Sequence, residues 1–204
     1  MDCTGPVLPA GYSRVPQGHI AAVVTFLEMR QRPDLKISPP FPPGFELLPL
    51  ARPTPDRYRA LFRIVGEDWL WFSRIVMPDD ELRSIIDDPG VRIFALRHED
   101  SDAGILELDF RKPDACELAF FGLTKNAIGR GIGGALMHEA LVRAWSQRID
   151  RFWLHTCTFD HPAALGFYRR FGFTPHAFEV EVQIDPRLTG ALPRRCAPHV
   201  PLLD

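Results

Sequence analysis

No apolar stretch in this 204-residue chain approaches the ~20 residues that a membrane-spanning helix needs. The best run, residues 20–27, is short and interrupted by Thr25, so no membrane is expected as a partner. Basic blocks and stripes are missing too. With 24 Lys and Arg against 26 Asp and Glu, the formal charge is only −2, and no nucleic acid is expected. The first residues lack a basic segment followed by an apolar one, so no secretory signal is expected and the chain reads as cytoplasmic. Cysteine is scarce. Cys3, Cys116, Cys157 and Cys196 lie too far apart for a zinc or dithiol motif, and no metal is expected. Cys116 and Cys157 fall in predicted strands, where a free cysteine behaves as a small buried apolar residue. Internal repeats are absent.

What is present is an ordinary globular composition, 46% apolar and 25% charged, with enough chain for one domain and a full core. Residues 1–43 read as an N-terminal arm, with a strand at 19–29 and a stiff proline-rich connector at 33–43. Residues 44–184 read as the domain and 185–204 as a proline-containing tail. Strands are predicted at 45–50, 91–96, 104–110, 116–123, 151–158 and 178–184. The strands at 104–110 and 116–123 should form an antiparallel hairpin around Pro113-Asp114. Helical spacing puts Tyr58, Leu61, Phe62 and Val65 on one face of a helix at 55–65. A second helix covers 79–86 with acidic residues in its first turn. A third opens at Gly131 with Ile132, Leu136, Met137, Ala140, Leu141, Ala144 and Trp145 on one stripe. A fourth starts near Pro162, with Asp160 or His161 as cap and Ala164, Leu165, Tyr168 and Phe171 to one side. The order of elements gives an α/β domain with a mixed sheet.

The most informative stretch is residues 117–134, where an apolar strand runs into a glycine-rich turn and a helix opens out of the glycines. Such a turn aims backbone N–H groups and a helix N-terminus at one spot and binds phosphate without side-chain charge. Gly129-Arg130-Gly131-Ile132-Gly133-Gly134 matches the dinucleotide pattern GxGxxG. Context speaks against a dinucleotide: residues 124–128 separate strand from glycines, and the strand reads as the end of a hairpin rather than the start of a parallel unit. An acidic residue downstream, Asp150 or Asp160, keeps an NAD-binding alternative open. No Lys-Ser or Lys-Thr follows the glycines, which excludes a triphosphate loop. A glycine costs about 1 kcal/mol relative to alanine in a helix, so four in six positions imply a close approach of backbone to a ligand.

Arg130 and Gly131-x-Gly133, after a strand holding Glu117 and Phe121-Gly122-Leu123, resemble motif A of the GNAT acetyltransferase superfamily. That motif reads Arg/Gln-x-x-Gly-x-Gly/Ala and binds the pyrophosphate of acetyl-CoA. Residues 160–173, with His161, Ala164, Phe167-Tyr168 and Gly172-Phe173, resemble the family's motif B, in the family's order and spacing. The resemblance covers residues 45–184. It implies a central, mostly antiparallel mixed sheet flanked by helices, with an extra N-terminal strand that extends a sheet edge or pairs across a homodimer. Two positions depart from the pattern: Ile128 where Arg or Gln is usual, and His161 where Asn is common.

The resemblance further implies transfer of acetyl from acetyl-CoA to a primary amine by direct attack, through a tetrahedral intermediate. The cofactor would be held by Phe121, Gly122, Leu123, Ile128, Gly129, Arg130, Gly131, Ile132, Gly133, Gly134, His161, Ala164, Phe167 and Tyr168. Tyr168 matches the general acid for the leaving sulfur, and Glu117 stands where family members place a base. Glu107 or Asp109, on one face of the neighbouring strand, could replace Glu117. Trp69, Trp71 and Phe72, between the early helices, offer aromatic rings to an amine acceptor, a small molecule or a peptide. His138 and His155 read as structural. A CoA-binding regulatory domain without catalysis is the remaining alternative.

Overall fold

The computed structural model describes residues 7–34 and 40–203; Cys3 and Pro39 lie outside them. The strands are β1 (His19–Met29), β2 (Phe45–Pro49), β3 (Val91–His98), β4 (Ser101–Asp109), β5 (Ala115–Leu123), β6 (Arg151–Cys157) and β7 (Thr174–Ile184). The helices are α1 (Pro55–Gly66), α2 (Ser73–Val76), α3 (Asp79–Ile86), α4 (Ile132–Ala144) and α5 (Ala164–Arg170), with a 3-10 turn at Glu67–Trp69. The short α2 and the 3-10 turn had no signature in the sequence pattern. Among the described residues no helix is long and apolar enough to cross a membrane.

One seven-stranded sheet runs in the order β2-β3-β4-β5-β6-β1-β7. Neighbours are antiparallel except β5 and β6. The β4–β5 hairpin forms as the sequence predicts. The same β5 also opens a parallel β5–α4–β6 unit, contrary to the expectation that it only ends a hairpin. The parallel pairing is brief: Ala115, Cys116 and Glu117 meet Arg151, Phe152 and Trp153, and beyond them the two strands diverge.

Local chemistry sets the helices. The Thr54 hydroxyl accepts the Arg57 N–H and Pro55 holds the first helical position of α1. Asp79, Asp80 and Glu81 occupy the first turn of α3, where the helix dipole favours them. One sheet face is covered by α1 and α3 through Tyr58, Leu61, Phe62 and Leu82, all fully buried. Each such side chain contributes about 1.5–3 kcal/mol. The other face is covered by α4 and α5, where Leu136, Met137, Ala140 and Leu141 meet Leu106, Leu118, Phe152 and Leu154.

Two expectations about the termini are corrected. The N-terminal strand is neither an edge nor free to pair across a dimer; β1 sits between β6 and β7. Its residues explain this. Ile20, Ala22, Val24 and Phe26 are buried on one face, and strand alternation puts Leu27 and Met29 into the opposite core. A strand that is apolar on both faces needs both covered. The C-terminal residues are also no loose tail. Leu192, Cys196 and Ala197 pack on Ile20, Ala22, Leu70 and Phe159. Arg187 ties this segment down, pairing with Asp185 and donating to the carbonyls of Cys196, Ala197, Val200 and Pro201.

Candidate active site

Where β5 and β6 diverge, a cleft of about 820 Å³ opens between α4, α5 and the segment after α1. It gathers Phe121, Gly122, Leu123, Ile128, Gly129, Gly131, Gly133, Gly134, His161, Ala164, Phe167 and Tyr168 with Trp69, Trp71 and Phe72. Three of the expected residues stand apart from its lining. Arg130 is exposed on the loop. Ile132 turns its side chain into the core beside Leu96 and Ala103, leaving only its backbone for a ligand. Glu117 sits at the root of the cleft, the last residue of β5 paired with β6.

The glycine loop is built for backbone contact. Gly129 and Gly131 have φ of +84° and +76°, in the left-handed region that side chains disfavour. A Cβ on either would meet no atom within 4 Å, so the space before the loop is open. Gly131 caps α4 without a side-chain hydrogen bond, so no side chain of the cap covers the first-turn N–H groups. This geometry fits a phosphate-bearing cofactor.

Trp71 is wedged between two glycines. A Cβ on Gly66 would lie 2.5 Å from it, and one on Gly122 would lie 3.1 Å from it and 2.6 Å from Val65, so neither position has room for a side chain. Its indole N–H donates to Asp160 at 3.1 Å. Asp160 also accepts from the Thr156 hydroxyl at 2.7 Å and the Cys157 N–H at 2.9 Å. Asp160 therefore does not cap α5, as the sequence suggested. Nor does His161: its Nδ1 accepts the Ala163 N–H at 3.1 Å in the turn before the helix, Ala163 is the N-cap, and α5 begins at Ala164. Leu165 is exposed rather than on the buried face. Trp69 meets the His161 ring edge-on at 5.3 Å. Between the two tryptophans, Leu70 adopts a φ of +57°, a strained conformation for a branched residue.

Tyr168 is nearly buried, edge-on to Phe121 and Phe167. Burial, and then the charge of Asp160, push its hydroxyl well above the ordinary phenol range, so it keeps its proton at neutral pH. Glu117 is raised to about 7 by burial and by the charge of Asp109. The two alternative carboxylates are engaged elsewhere. Glu107 is fully buried and accepts from the Tyr58 hydroxyl and from Arg74. Asp109 is clasped by Arg111, whose hydrogen bonds outweigh burial and hold it below the usual range.

Sequence reasoning missed several residues of the cleft. His155, read as structural, lines it with its half-exposed ring, and its Nδ1 lies 3.8 Å from Glu117 Oε1. Burial holds His155 below its ordinary value, against the opposing charges of Asp160, Glu181 and Glu179. Cys157, expected in the core, also faces the cleft, with its thiol raised to about 11 by burial. Cys116 is buried as expected. Glu181 and Gln183 reach the cleft from β7. The period-2 alternation of β6 puts His155 and Cys157 on one face of that strand, but only its pairing with β5 shows that this is the face of Glu117. Nothing in the pattern showed that β1 would bring β7 alongside. Among the described residues no cluster could hold a metal ion.

Several proteins share this architecture. A GCN5-related N-acetyltransferase from Kribbella flavida superposes with a TM-score of 0.52 at 18% identity, over 85% of this chain and 63% of its own. A tandem GNAT protein from the clavulanic acid biosynthesis pathway gives 0.57 at 17% identity, over 89% and 60%. An aminoglycoside acetyltransferase from an uncultured soil metagenomic sample, in complex with sisomicin, gives 0.51 at 16% identity, over 63% and 88%. The chain thus spans less than two thirds of the first two of these proteins, and at such identities the likeness is one of fold. No curated protein matches the sequence. The family model of the acetyltransferase (GNAT) family matches residues 58–173, which run from the buried face of α1 through the glycine loop to the end of motif B, and the chain belongs to that family.

Proposed function

We propose that the protein transfers the acetyl group of acetyl-CoA to a primary amine lodged against Trp69, Trp71 and Phe72. The observation that carries this reading is the meeting, in one cleft, of the open glycine loop, the diverging β5 and β6, and a protonated tyrosine. Backbone N–H groups of Gly129, Gly131, Ile132 and Gly133 would hold the pyrophosphate despite Ile128 at the start of the motif, Gly134 N–H being donated to the Gly131 carbonyl. Backbone N–H groups of Phe121 and Leu123, on the edge of β5 away from β4, would meet the pantetheine and the thioester oxygen, with Gly122 between them. The amine attacks the acetyl carbon directly, and Tyr168 donates its proton to the departing sulfur. Glu117 is the carboxylate toward which the amine's proton is drawn. The aromatic wall and the carboxylates Asp160 and Glu181 favour a cationic acceptor with an apolar body. The same reading places the protein in the cytoplasm. Two copies would pair through β7, an outer strand with exposed Phe178, Val180, Val182 and Ile184.

The test has two arms. In the first, acetyl-CoA, CoA and NAD are compared for thermal stabilisation of the protein. A ligand at ~100 times its Kd adds about 2.7 kcal/mol, so acetyl-CoA should raise Tm and NAD should not. In the second, CoA release is followed with tryptamine, spermidine, a lysine peptide and sisomicin as acceptors. Binding of acetyl-CoA without turnover of any amine would favour the regulatory alternative; stabilisation by NAD alone would overturn the acetyltransferase reading.

A further inference from the structure

We propose that His155 accepts the proton of the acceptor amine and that Glu117 serves it as a positioning residue, the two forming a pair across the point where β5 and β6 part. The proposal rests on the acetyltransferase reading above for its chemistry, and on strand geometry for its placement.

Glu117 is paired with Trp153, the last residue of β6 held by β5. Side chains alternate along a strand, so His155, two residues on, projects from the same face as Trp153 and Glu117. The 3.8 Å between Nδ1 and Oε1 is within ion-pair range, and an approach of about 1 Å would make it a hydrogen bond. Catalytic hydrogen bonds in ligand-free sites are commonly this loose. Glu117 itself does not reach the lining of the cleft, whereas the His155 ring does. An amine in the cleft therefore meets the imidazole before it meets the carboxylate.

The acceptor enters as a cation and first loses one proton to solvent, which leaves the free amine. The amine nitrogen forms its bond to the acetyl carbon and the carbon–sulfur bond breaks. The amine's proton passes to His155 Nε2, while Nδ1–H turns toward Glu117. The departing sulfur takes the Tyr168 proton, and solvent later returns a proton from the imidazolium to the tyrosine. Four carboxylates offset part of the burial that disfavours an imidazolium here. Glu117 faces it from β5, Asp160 from the turn after β6, and Glu179 and Glu181 from β7. Across β1, Phe26 packs on the ring at 5.7 Å and also meets His176 of β7. Burial holds His155 below its ordinary value, so at neutral pH the imidazole is free to accept a proton.

The experiment combines two readouts on the full chain. The first is the pH profile of kcat/KM with whichever amine of the panel above turns over fastest, for wild type, His155→Gln and Glu117→Gln. His155→Gln should lower the plateau by about 10²-fold and abolish the ionisation on the acid side. Glu117→Gln should leave an ionisation, moved to lower pH because the imidazole has lost its carboxylate. The KM for acetyl-CoA should stay unchanged in both variants, showing that the cleft is intact. If His155→Gln keeps the acid-side ionisation while Glu117→Gln removes it, the carboxylate acts alone and the pair is refuted. Unchanged profiles in both variants would refute it equally. The second readout is the NMR titration of the His155 imidazole without ligand. It should shift down in Glu117→Gln; an identical titration overturns the pairing even if no amine turns over. Lack of turnover by wild type would count against the acetyltransferase reading instead.

Discussion

Two groups near the cleft carry predictions of their own. Tyr168 is nearly buried on the apolar face of α5, so Tyr168→Phe removes one oxygen with little change in packing. As the proton donor to sulfur it should cost about 10²-fold in kcat or more, with acetyl-CoA binding retained. Full kcat in the variant, measured by CoA release, would end the acid assignment. Glu117 makes a prediction about stability that does not depend on catalysis. Its folded value of about 7 lies above its ordinary 4.5, so the folded state holds a proton that the unfolded state releases between those pH values. Stability is therefore lost as pH rises from about 4.5 to about 7, by about 3 kcal/mol. Glu117→Gln should be more stable than wild type above pH 7 by an amount of this order, and the gap should close below pH 4.5. Denaturant unfolding at both extremes of pH measures it. Glu117 and Tyr168 could be singled out as candidates because a carboxylate near a strand start and a helical tyrosine stood in recognisable motifs. His155 was not, because its meaning depends on which residue of β5 lies beside it, a matter of register that no local pattern encodes.

Whole elements were easier to read than their junctions. The buried faces of α1 and α4 followed from 3.6-residue spacing, and the β4–β5 hairpin from its turn residues. What spacing could not show was the wall between Gly66 and Ser73, where a 3-10 turn, a left-handed Leu70 and a tryptophan wedged against Gly66 and Gly122 replace regular structure. That wall is joined to the α5 end of the cleft by Asp160, which holds the Trp71 N–H, the Thr156 hydroxyl and the Cys157 N–H at once. Asp160→Ala leaves three partly buried donors unpaired and should destabilise the protein by about 3 kcal/mol in denaturant unfolding. It should also raise the KM of the amine more than that of acetyl-CoA, since the glycine loop does not depend on it. A rise confined to acetyl-CoA would mean that Trp71 does not bound the acceptor.

At the scale of the molecule, the two ends of the chain complete the site from outside the segment that matches the family model. Inserting β1 between β6 and β7 brings Glu181 and Gln183 to the cleft, and the C-terminal segment then closes over β1. Leu192, Cys196 and Ala197 pack against Leu70, the residue that sets the course of the chain between Trp69 and Trp71. Composition alone gave this segment no role, since its prolines read as a tail; its order comes from one side chain. Arg187 and Asp185 are each only 2% exposed and bridge at 2.7 Å. Burial would raise Asp185, but the hydrogen bonds and charge of Arg187 hold it below the usual range. Removing one partner of such a pair strands the other and costs about 3–5 kcal/mol. Arg187→Ala should lose stability on that order at neutral pH, and the deficit should narrow in acid once Asp185 takes up a proton. Four carbonyls, those of Cys196, Ala197, Val200 and Pro201, would lose their common donor, so limited proteolysis should cut the variant after Ile184 faster than wild type. Because the glycine loop lies apart from this segment, acetyl-CoA affinity should persist while amine turnover falls with the loosened Trp69–Trp71 wall. Equal loss of both would show instead that the C-terminal segment supports the whole domain rather than the acceptor side of the cleft.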